Sequence, residues 1–154
     1  MELFTKNFGV QQVDDDKIIT FQDGILGFQN CKRFIILTED DINVSTIWWL
    51  QSVENGDLAF PLLNTFSVLE NYTPEVDDVF IAQLGEFEED SLVVANILVV
   101  PEEAEKMTVN LKAPIIINTK TKKGMQIIVN NNEYEVKFPI YSVLQKQKAG
   151  EVQC

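Results

Sequence analysis

The sequence predicts an all-β protein, a small antiparallel β-barrel that is closed or nearly closed and carries one short helix. Along the 154-residue chain, about eight or nine short runs of β-branched and aromatic residues alternate with glycine, aspartate or asparagine turns. Only one stretch has the spacing of an amphipathic helix. Closure would remove the exposed edge strands of such a chain. A two-sheet sandwich is the alternative that the same pattern allows.

The first half of the chain contains five strand signals. Phe4, Phe8 and Val10 indicate a first strand, and four further runs have the β-branched and aromatic residues that suit a pleated sheet: 18–21, 33–37, 47–53 and 58–63. Pro61 lies inside the last of these runs. Because proline cannot donate a ladder hydrogen bond, we expect an edge or a bulge there.

The second half begins with the longest apolar run of the chain, 92–100, and continues with strand signals at 107–111 and 115–118. Two further runs, 126–129 and 134–138, flank the triplet Asn130, Asn131 and Asn132. Asparagine tolerates a positive φ, so this triplet predicts a tight hairpin turn between two antiparallel strands.

The helix is predicted at residues 78–84, where apolar residues at 76, 79, 80 and 84 form a stripe along about two turns. Asp77 suits the N-cap and Gly85 suits the C-terminal stop. The chain shows no linker and no internal repeat. We therefore expect one barrel domain over residues 1–142, followed by a C-terminal tail over 143–154 that frays or forms a short helix.

The charge of the chain is strongly negative, with 24 acidic and 12 basic residues and a net charge of −12. Such a surface repels nucleic acid and anionic membranes and attracts a cationic protein. No basic segment precedes a long apolar core at the N-terminus, and no apolar run approaches the ~18 residues of a membrane span. We expect a cytoplasmic protein, monomeric, that binds neither nucleic acid nor membrane directly.

Catalysis is not indicated. The chain has no histidine, which removes the commonest general base and metal ligand. Cys31 and Cys154 have neither metal-site spacing nor an evident base partner, so we predict inert thiols. The acidic clusters at 14–16, 39–41, 86–90 and 102–105 lie in predicted turns and lack the ligand spacing of a calcium loop. We expect no catalytic, metal or cofactor residues.

Two other functions stay open at this point. A carboxylate-based hydrolase would need two acids facing each other across a cleft at ~5–9 Å. A small-ligand carrier would need a cavity inside the barrel. A core filled by Trp48, Trp49, Phe60 and the isoleucine and valine strands would exclude such a carrier.

Polar residues interrupt several apolar strands: Gln51, Asn64, Asn96, Asn110 and Asn118. Buried amides must be hydrogen-bonded, and one interpretation is that they satisfy backbone groups at bulges and turns. The other interpretation is that some of them line an open groove and bind a partner's backbone. The sequence pattern favours the first interpretation at each position without excluding the second.

Several motifs together resemble the flagellar assembly factor FliW family. Residues 21–28 read Phe-Gln-Asp-Gly-Ile-Leu-Gly-Phe, and residues 109–118 read Val-Asn-Leu-Lys-Ala-Pro-Ile-Ile-Ile-Asn, which is the more specific match. The segments 49–52 and 58–60 also fit. Asn64 and Phe66 resemble the family's Asn-Pro-Phe, with Thr65 in place of proline, and the ending at Phe138 and Pro139 also departs from the pattern. The resemblance extends from about residue 8 to residue 140.

The resemblance implies a cytoplasmic bacterial protein with two competing partners. One is flagellin before its export, and the other is the RNA-binding translational repressor CsrA. Binding of CsrA would release flagellin messenger RNA from repression. Accumulating flagellin would then capture the protein and restore repression, so that flagellin synthesis follows flagellum assembly without any chemistry.

Candidate partner-binding residues follow from the motifs and the charge. We expect contacts at motif residues near strand ends, namely Gln51, Asn64, Phe66, Asn110 and Lys112. For electrostatic attraction we expect the acidic residues Glu86, Glu88, Glu89 and Asp90. Replacement of Asn110 by alanine should weaken partner binding at nearly unchanged melting temperature, and a large loss of stability would instead indicate a structural hydrogen bond.

Overall fold

The computed structural model describes residues 1–39 and 45–146 of the chain. Within these ranges the strands are β1 (Glu2–Thr5), β2 (Gly9–Gln12), β3 (Ile19–Phe21), β4 (Arg33–Leu37), β5 (Ile47–Ser52), β6 (Ala59–Leu63), β7 (Leu92–Val99), β8 (Thr108–Val109), β9 (Ile115–Asn118), β10 (Lys123–Gln126) and β11 (Phe138–Pro139). The helix α1 spans Asp78–Gln83. A second short helical segment covers residues 141–146.

Seven strands form a closed barrel in the order β7-β6-β5-β4-β3-β10-β9 and back to β7. The ring closes because β7 is long enough to pair with two neighbours: residues 92–95 pair with β9, and residues 96–97 pair with β6. This confirms the predicted barrel. One feature differs from a purely antiparallel ring, since β3 and β10 run parallel, with Thr20 opposite Lys123 and Phe21 opposite Gly124.

Two small additions extend the barrel. Beyond the ring, β7 continues into a pairing with β8, which in turn pairs with β11. The β1–β2 hairpin packs on the outside, where Leu3 and Val13 form an apolar cluster with Ile35 and Val53. The predicted single first strand is therefore a hairpin whose turn lies between Thr5 and Gly9.

Bulky side chains pack the interior of the barrel, and a cavity of about 290 Å³ is left beside Trp48 and Ile117. The fully buried members of the central cluster include Phe21, Phe34, Leu50 and Leu62. Along β5, Trp48 is buried in this core. Neighbouring side chains of a strand point to opposite faces, so Trp49 lies outside and packs edge-on against Phe8 with ring centroids 6.2 Å apart. Trp48 thus fills the core as expected, whereas Trp49 does not.

Several predicted strands have the expected bounds. The runs at 33–37 and 115–118 match β4 and β9, and those at 47–53 and 92–100 are each one residue longer than β5 and β7. The 107–111 run is strand only at Thr108–Val109. Pro61 lies in an interior strand of the ring and not in an edge strand: it pairs with Trp49 of β5, and the pairing of β6 with β7 begins after it, at Leu62.

The predicted hairpin around Asn130, Asn131 and Asn132 is wrong. Residues 127–137 form no strand. The side chain of Asn131 is buried instead: its Nδ2 donates to the Thr73 carbonyl (3.0 Å) and its Oδ1 accepts from the Glu75 amide (2.6 Å). These bonds hold the chain against residues 73–75, and the hairpin forms earlier, between β9 and β10.

The helix prediction is confirmed within one residue. Asp77 has the extended backbone of an N-cap although its side chain makes no capping bond, and Gly85 ends the helix with a φ of 85°. The predicted tail helix begins at 141, and residues 147–154, including Cys154, lie outside the described part of the chain. The same is true of Asp40 and Asp41 in the predicted acidic cluster.

Candidate partner-binding site

A buried polar network lies where β7 leaves the ring. Asn96 is completely buried; its Nδ2 donates to the Asn110 carbonyl (2.8 Å) and to the Tyr72 hydroxyl (3.2 Å), and its Oδ1 accepts from the Thr65 hydroxyl (2.5 Å). The Tyr72 hydroxyl donates in turn to the Leu111 carbonyl (2.7 Å). One asparagine thereby connects the segment 65–72 with residues 110–111, which gives the surface above it a fixed shape.

The Tyr72 hydroxyl keeps its proton in this network. Burial raises the pKa of Tyr72 to about 12, because a charged phenolate would lose its hydration there. The neutral hydroxyl can therefore donate to one carbonyl while it accepts from Asn96, and the network stays complete over the physiological pH range.

Above the network lies a groove of about 610 Å³, here named the aromatic groove, whose apolar lining consists of Val68, Leu69, Tyr72, Leu111, Tyr134 and Phe138. The rings of Tyr72 and Tyr134 pack with centroids 4.8 Å apart. Phe66 stands beside Tyr72 at 6.2 Å and is 46% exposed. An apolar groove with aromatic walls is the kind of surface that anchors apolar side chains of a partner.

The rim of the aromatic groove is acidic. The exposed residues Glu70 and Glu133 belong to its lining. The pKa of Glu133 is lowered because its own backbone amide and the side chain of Asn131 donate hydrogen bonds to its carboxylate. This carboxylate stays charged at neutral pH, so the groove combines an apolar floor with negative charge at its edge.

Phe66, Asn110 and Lys112 adjoin this groove, whereas Asn64 lines a separate cavity together with Trp48. Of these four predicted contact residues, three use their side chains in internal hydrogen bonds. Asn110 Oδ1 accepts from the amides of Lys112 and Ala113, both at 3.1 Å. Lys112 Nζ donates to the Asn131 carbonyl (2.7 Å), and Asn64 Nδ2 donates to the backbone carbonyl of residue 45 (3.3 Å). Of the four, Phe66 presents the largest free surface.

Gln51 is the predicted contact residue that the structure contradicts. Its side chain is completely buried, and Nε2 donates to the carbonyls of Ser52, Gly56 and Leu58, each at 3.1 Å. A partner on the surface cannot contact this side chain. Gln51 instead holds the turn between β5 and β6, as expected of a buried amide.

The predicted acidic contact residues lie apart from the aromatic groove, next to the C-terminal end of β9. The segment 86–90 connects α1 with β7, and Asn118 at the end of β9 holds it by donating to the carbonyls of Leu84 (2.9 Å) and Glu86 (3.0 Å). The side chains of Glu86, Glu88 and Asp90 are exposed. Glu89 lies in the same segment, in a single 3-10 turn.

The arrangement of carboxylates contradicts the hydrolase hypothesis. Every aspartate and glutamate whose side chain is described is exposed to solvent, which is the arrangement of solvated acidic turns. In the same residues no three acidic or cysteine groups converge on a possible metal position. Cys31 is half-buried and packs against the central core. None of the helices in the described ranges has the length and apolar character that crossing a membrane requires.

Sequence reasoning missed the residues that build the aromatic groove. Tyr72 stands between Asn71 and the Thr73-Pro74 turn, outside every predicted strand. The sequence signal that could have indicated the groove is an aromatic residue among turn residues. Such a ring is expected to pack against another surface of the protein, because its burial is strongly favourable. Tyr134 and Phe138 belong to the predicted strand 134–138, of which only Phe138 lies in a strand, the two-residue β11.

Comparison with known proteins identifies the family. The model of the FliW protein family matches residues 2–140. The flagellar assembly factor FliW of Lachnoclostridium phytofermentans is 43% identical over 152 residues, which cover 98% of this chain and 97% of that protein. The flagellar assembly factor FliW of Lachnospira eligens is 42% identical over 151 residues, with 96% and 99% covered.

The fold agrees with this assignment. A crystal structure of the flagellar assembly factor FliW superposes with a TM-score of 0.81 at 31% sequence identity, covering 91% of this chain and 96% of that one. The matched family is non-catalytic, in agreement with the prediction of a non-enzyme. The chain therefore belongs to the FliW family.

Proposed function

We propose that this chain acts in flagellar assembly as a non-catalytic binding protein of the cytoplasm. Its two partners are unexported flagellin and a CsrA-type translational repressor, and their competition couples flagellin synthesis to assembly. The observation that carries this proposal is the aromatic groove, which Leu111 of the family motifs lines and beside which Phe66 of the motifs stands. The names of the relatives, flagellar assembly factors, support the same role.

The aromatic groove suits an amphipathic helix of the flagellin partner. Its walls are side chains of the irregular segments 67–72 and 133–134 and of Phe138, so it offers pockets for apolar residues more than a strand edge for backbone pairing. The acidic rim at Glu70 and Glu133 complements basic residues that flank such a helix. A poorly ordered flagellin end would gain order by docking there.

The acidic surface at Glu86, Glu88, Glu89 and Asp90 suits the repressor, because an RNA-binding protein carries a basic surface. The net charge of −12 adds long-range attraction. Charge complementarity of this kind mainly raises the association rate and the specificity. The repressor should therefore bind faster at low ionic strength than at high ionic strength.

A paired substitution tests the flagellin part. Phe66→Ala removes an exposed ring at the aromatic groove, and Phe4→Ala removes a ring that is 72% exposed on the β1–β2 hairpin. Calorimetric titration with flagellin should show at least about tenfold weaker binding for Phe66→Ala, the loss expected of an aromatic anchor. Phe4→Ala should bind like the wild type; equal losses in both variants would contradict the assignment of the groove.

A second pair tests the repressor part. The triple variant Glu86→Gln, Glu88→Gln and Asp90→Asn removes three charges from the proposed surface. A control with asparagine at 14–16 removes three exposed acids elsewhere. Stopped-flow measurements should show a slower association with the repressor only for the first variant.

Competition is measured directly by adding flagellin to the complex with the repressor. The proposed function predicts that flagellin releases the repressor. If the chain binds neither partner at micromolar concentration, the proposal is wrong.

A further inference from the structure

A second groove, of about 480 Å³, lies on the barrel wall where β3 and β10 run parallel, next to the end of α1. Leu84 and Gly124 are buried in its lining and Met125 is half-buried, while Lys32, Lys122 and Lys123 are exposed. We name it the lysine groove. None of its lining residues belongs to the aromatic groove or to the acidic segment 86–90.

The charge of the lysine groove is opposite to that of the chain. Its lining contains three lysines and a single acid, Asp23. The whole chain has 24 acidic and 12 basic residues, so acids outnumber bases twofold. A further exposed lysine, Lys17, lines an adjoining cavity together with Lys122 and one acid, Asp14. The groove is therefore a local concentration of positive charge on an acidic protein.

Within the described residues, the lysines of this groove form no ion pairs. The ion pairs within residues 1–39 and 45–146 join Lys106 with Glu103 and Lys120 with Glu88. The ammonium groups of Lys32, Lys122 and Lys123 have no carboxylate within ion-pair distance in those ranges. Their charge is available to a ligand.

The backbone presents the lysines in fixed positions. Lys122 ends the β9–β10 turn with a φ of 58°, and its amide donates to the Asn118 carbonyl (2.9 Å). Its own carbonyl accepts from the Thr20 amide (2.9 Å). On the other side, the Lys32 carbonyl accepts from the Phe21 amide (2.7 Å) and its amide donates to Glu54 (2.8 Å). A site whose backbone is already ordered loses less entropy on binding.

The lining favours a peptide over a nucleic acid. It contains no aromatic ring on which a base could stack, which is the usual means of binding single strands. A long polyanion would also meet the repulsion of the remaining acidic surface. In contrast, Ile18, Leu84 and Met125 offer apolar contact between the charges. A short segment with carboxylates and an apolar side chain matches both features.

We propose that the lysine groove binds a short acidic segment of a partner protein, with carboxylates on Lys32, Lys122 and Lys123 and an apolar residue against Met125. Binding at this groove does not depend on the flagellin or repressor interaction, because the surfaces share no residue. The failure of either function would leave this inference standing.

The test uses a short fluorescent peptide of glutamate and leucine residues and measures its anisotropy at low ionic strength. The double variant Lys32→Glu, Lys123→Glu reverses two charges of the groove. The matched control, Lys6→Glu with Lys137→Glu, makes the same change of net charge at two exposed lysines outside the lining. Melting temperatures of both variants verify folding.

The wild type and the control double variant should bind the peptide, and the groove double variant should bind about tenfold more weakly, as expected for two lost exposed charge pairs. A peptide with glutamine in place of glutamate should bind neither the wild type nor either double variant. Equal weakening in both double variants, or absence of peptide binding to the wild type, would overturn the proposal. Tighter binding of an RNA oligonucleotide that is lost in the groove variant would overturn it in favour of a nucleic acid.

Discussion

Replacement of Asn110 by alanine tests whether this motif residue is structural. Its Oδ1 accepts two backbone hydrogen bonds, from Lys112 and Ala113, both at 3.1 Å. Each such bond contributes about 0.5–1.5 kcal/mol net, so the variant should lose about 2 kcal/mol of folding free energy. For a chain of this length, that loss lowers the melting temperature by about 4–8 °C. The sequence-based expectation of a nearly unchanged melting temperature is thereby revised.

Urea unfolding, followed by the fluorescence of Trp48 and Trp49, measures this loss. Asn110→Asp is the informative control because it keeps an acceptor oxygen at the same position, and it should retain most of the stability that alanine loses. The expected order of stability is wild type, then aspartate, then alanine.

Two results would refute this reasoning. If Asn110→Ala unfolds at the same urea concentration as the wild type, the two hydrogen bonds contribute nothing. If alanine and aspartate are equally destabilised, the loss comes from something other than the acceptor oxygen. Flagellin binding, measured in parallel, distinguishes a structural role of Asn110 from direct contact with flagellin. If the Asn110 side chain contacts flagellin, Asn110→Asp should bind flagellin poorly although it is stable.

Three further predictions concern stability. Asn96→Ala removes all three hydrogen bonds of a completely buried side chain and should cost about 3–4 kcal/mol in urea unfolding; a loss below about 1 kcal/mol would contradict the network. Gly124→Ala would place Cβ 2.5 Å from the ring of Phe21, so calorimetry should show a loss of about 2 kcal/mol, and an unchanged melting temperature would argue against this close packing. The pKa of Glu54 lies below its ordinary 4.5 because the amides of residues 32–33 donate to its carboxylate. This stabilisation is complete above pH 4.5 and disappears as the pH falls through the folded pKa, so Glu54→Gln should flatten the acid side of the stability profile, and an unaltered slope would contradict it.

The sequence predicted the strands whose signal is local. The runs that became β4, β5, β7 and β9 are continuous and β-branched, and their bounds agree within one residue. Such strands are buried on the inner face and have turn residues on both sides, which is the information that a single sequence carries. The helix α1 was found for the same reason.

The errors arise where a distant residue decides the structure. The asparagine triplet at 130–132 has the composition of a turn, yet Asn131 bonds to residues 73 and 75, more than fifty positions away. Gln51 follows an aromatic pair and suggested a contact surface, but its amide is needed inside the β5–β6 turn. The parallel pairing of β3 with β10 is likewise a non-local fact.

The motif residues lie at the border of the aromatic groove more than on its floor. Phe66 stands beside Tyr72, and Leu111 is the motif residue in the lining. Of the residues that form the groove itself, Tyr72 and Tyr134 lie in irregular structure, and the Asn96 network holds Tyr72 in place. No local pattern predicts that residues 65, 72 and 110 meet at one asparagine.

The parallel closure of the barrel has a consequence for how the protein is made. Thr20 pairs with Lys123, so about a hundred residues must be synthesised between the two strands that complete the ring. Both grooves also combine early and late residues, since one requires residues 67–72 with 133–138 and the other requires 18–32 with 121–126. A nascent chain therefore has neither groove until residues up to 126 for the lysine groove and up to 138 for the aromatic groove have left the ribosome.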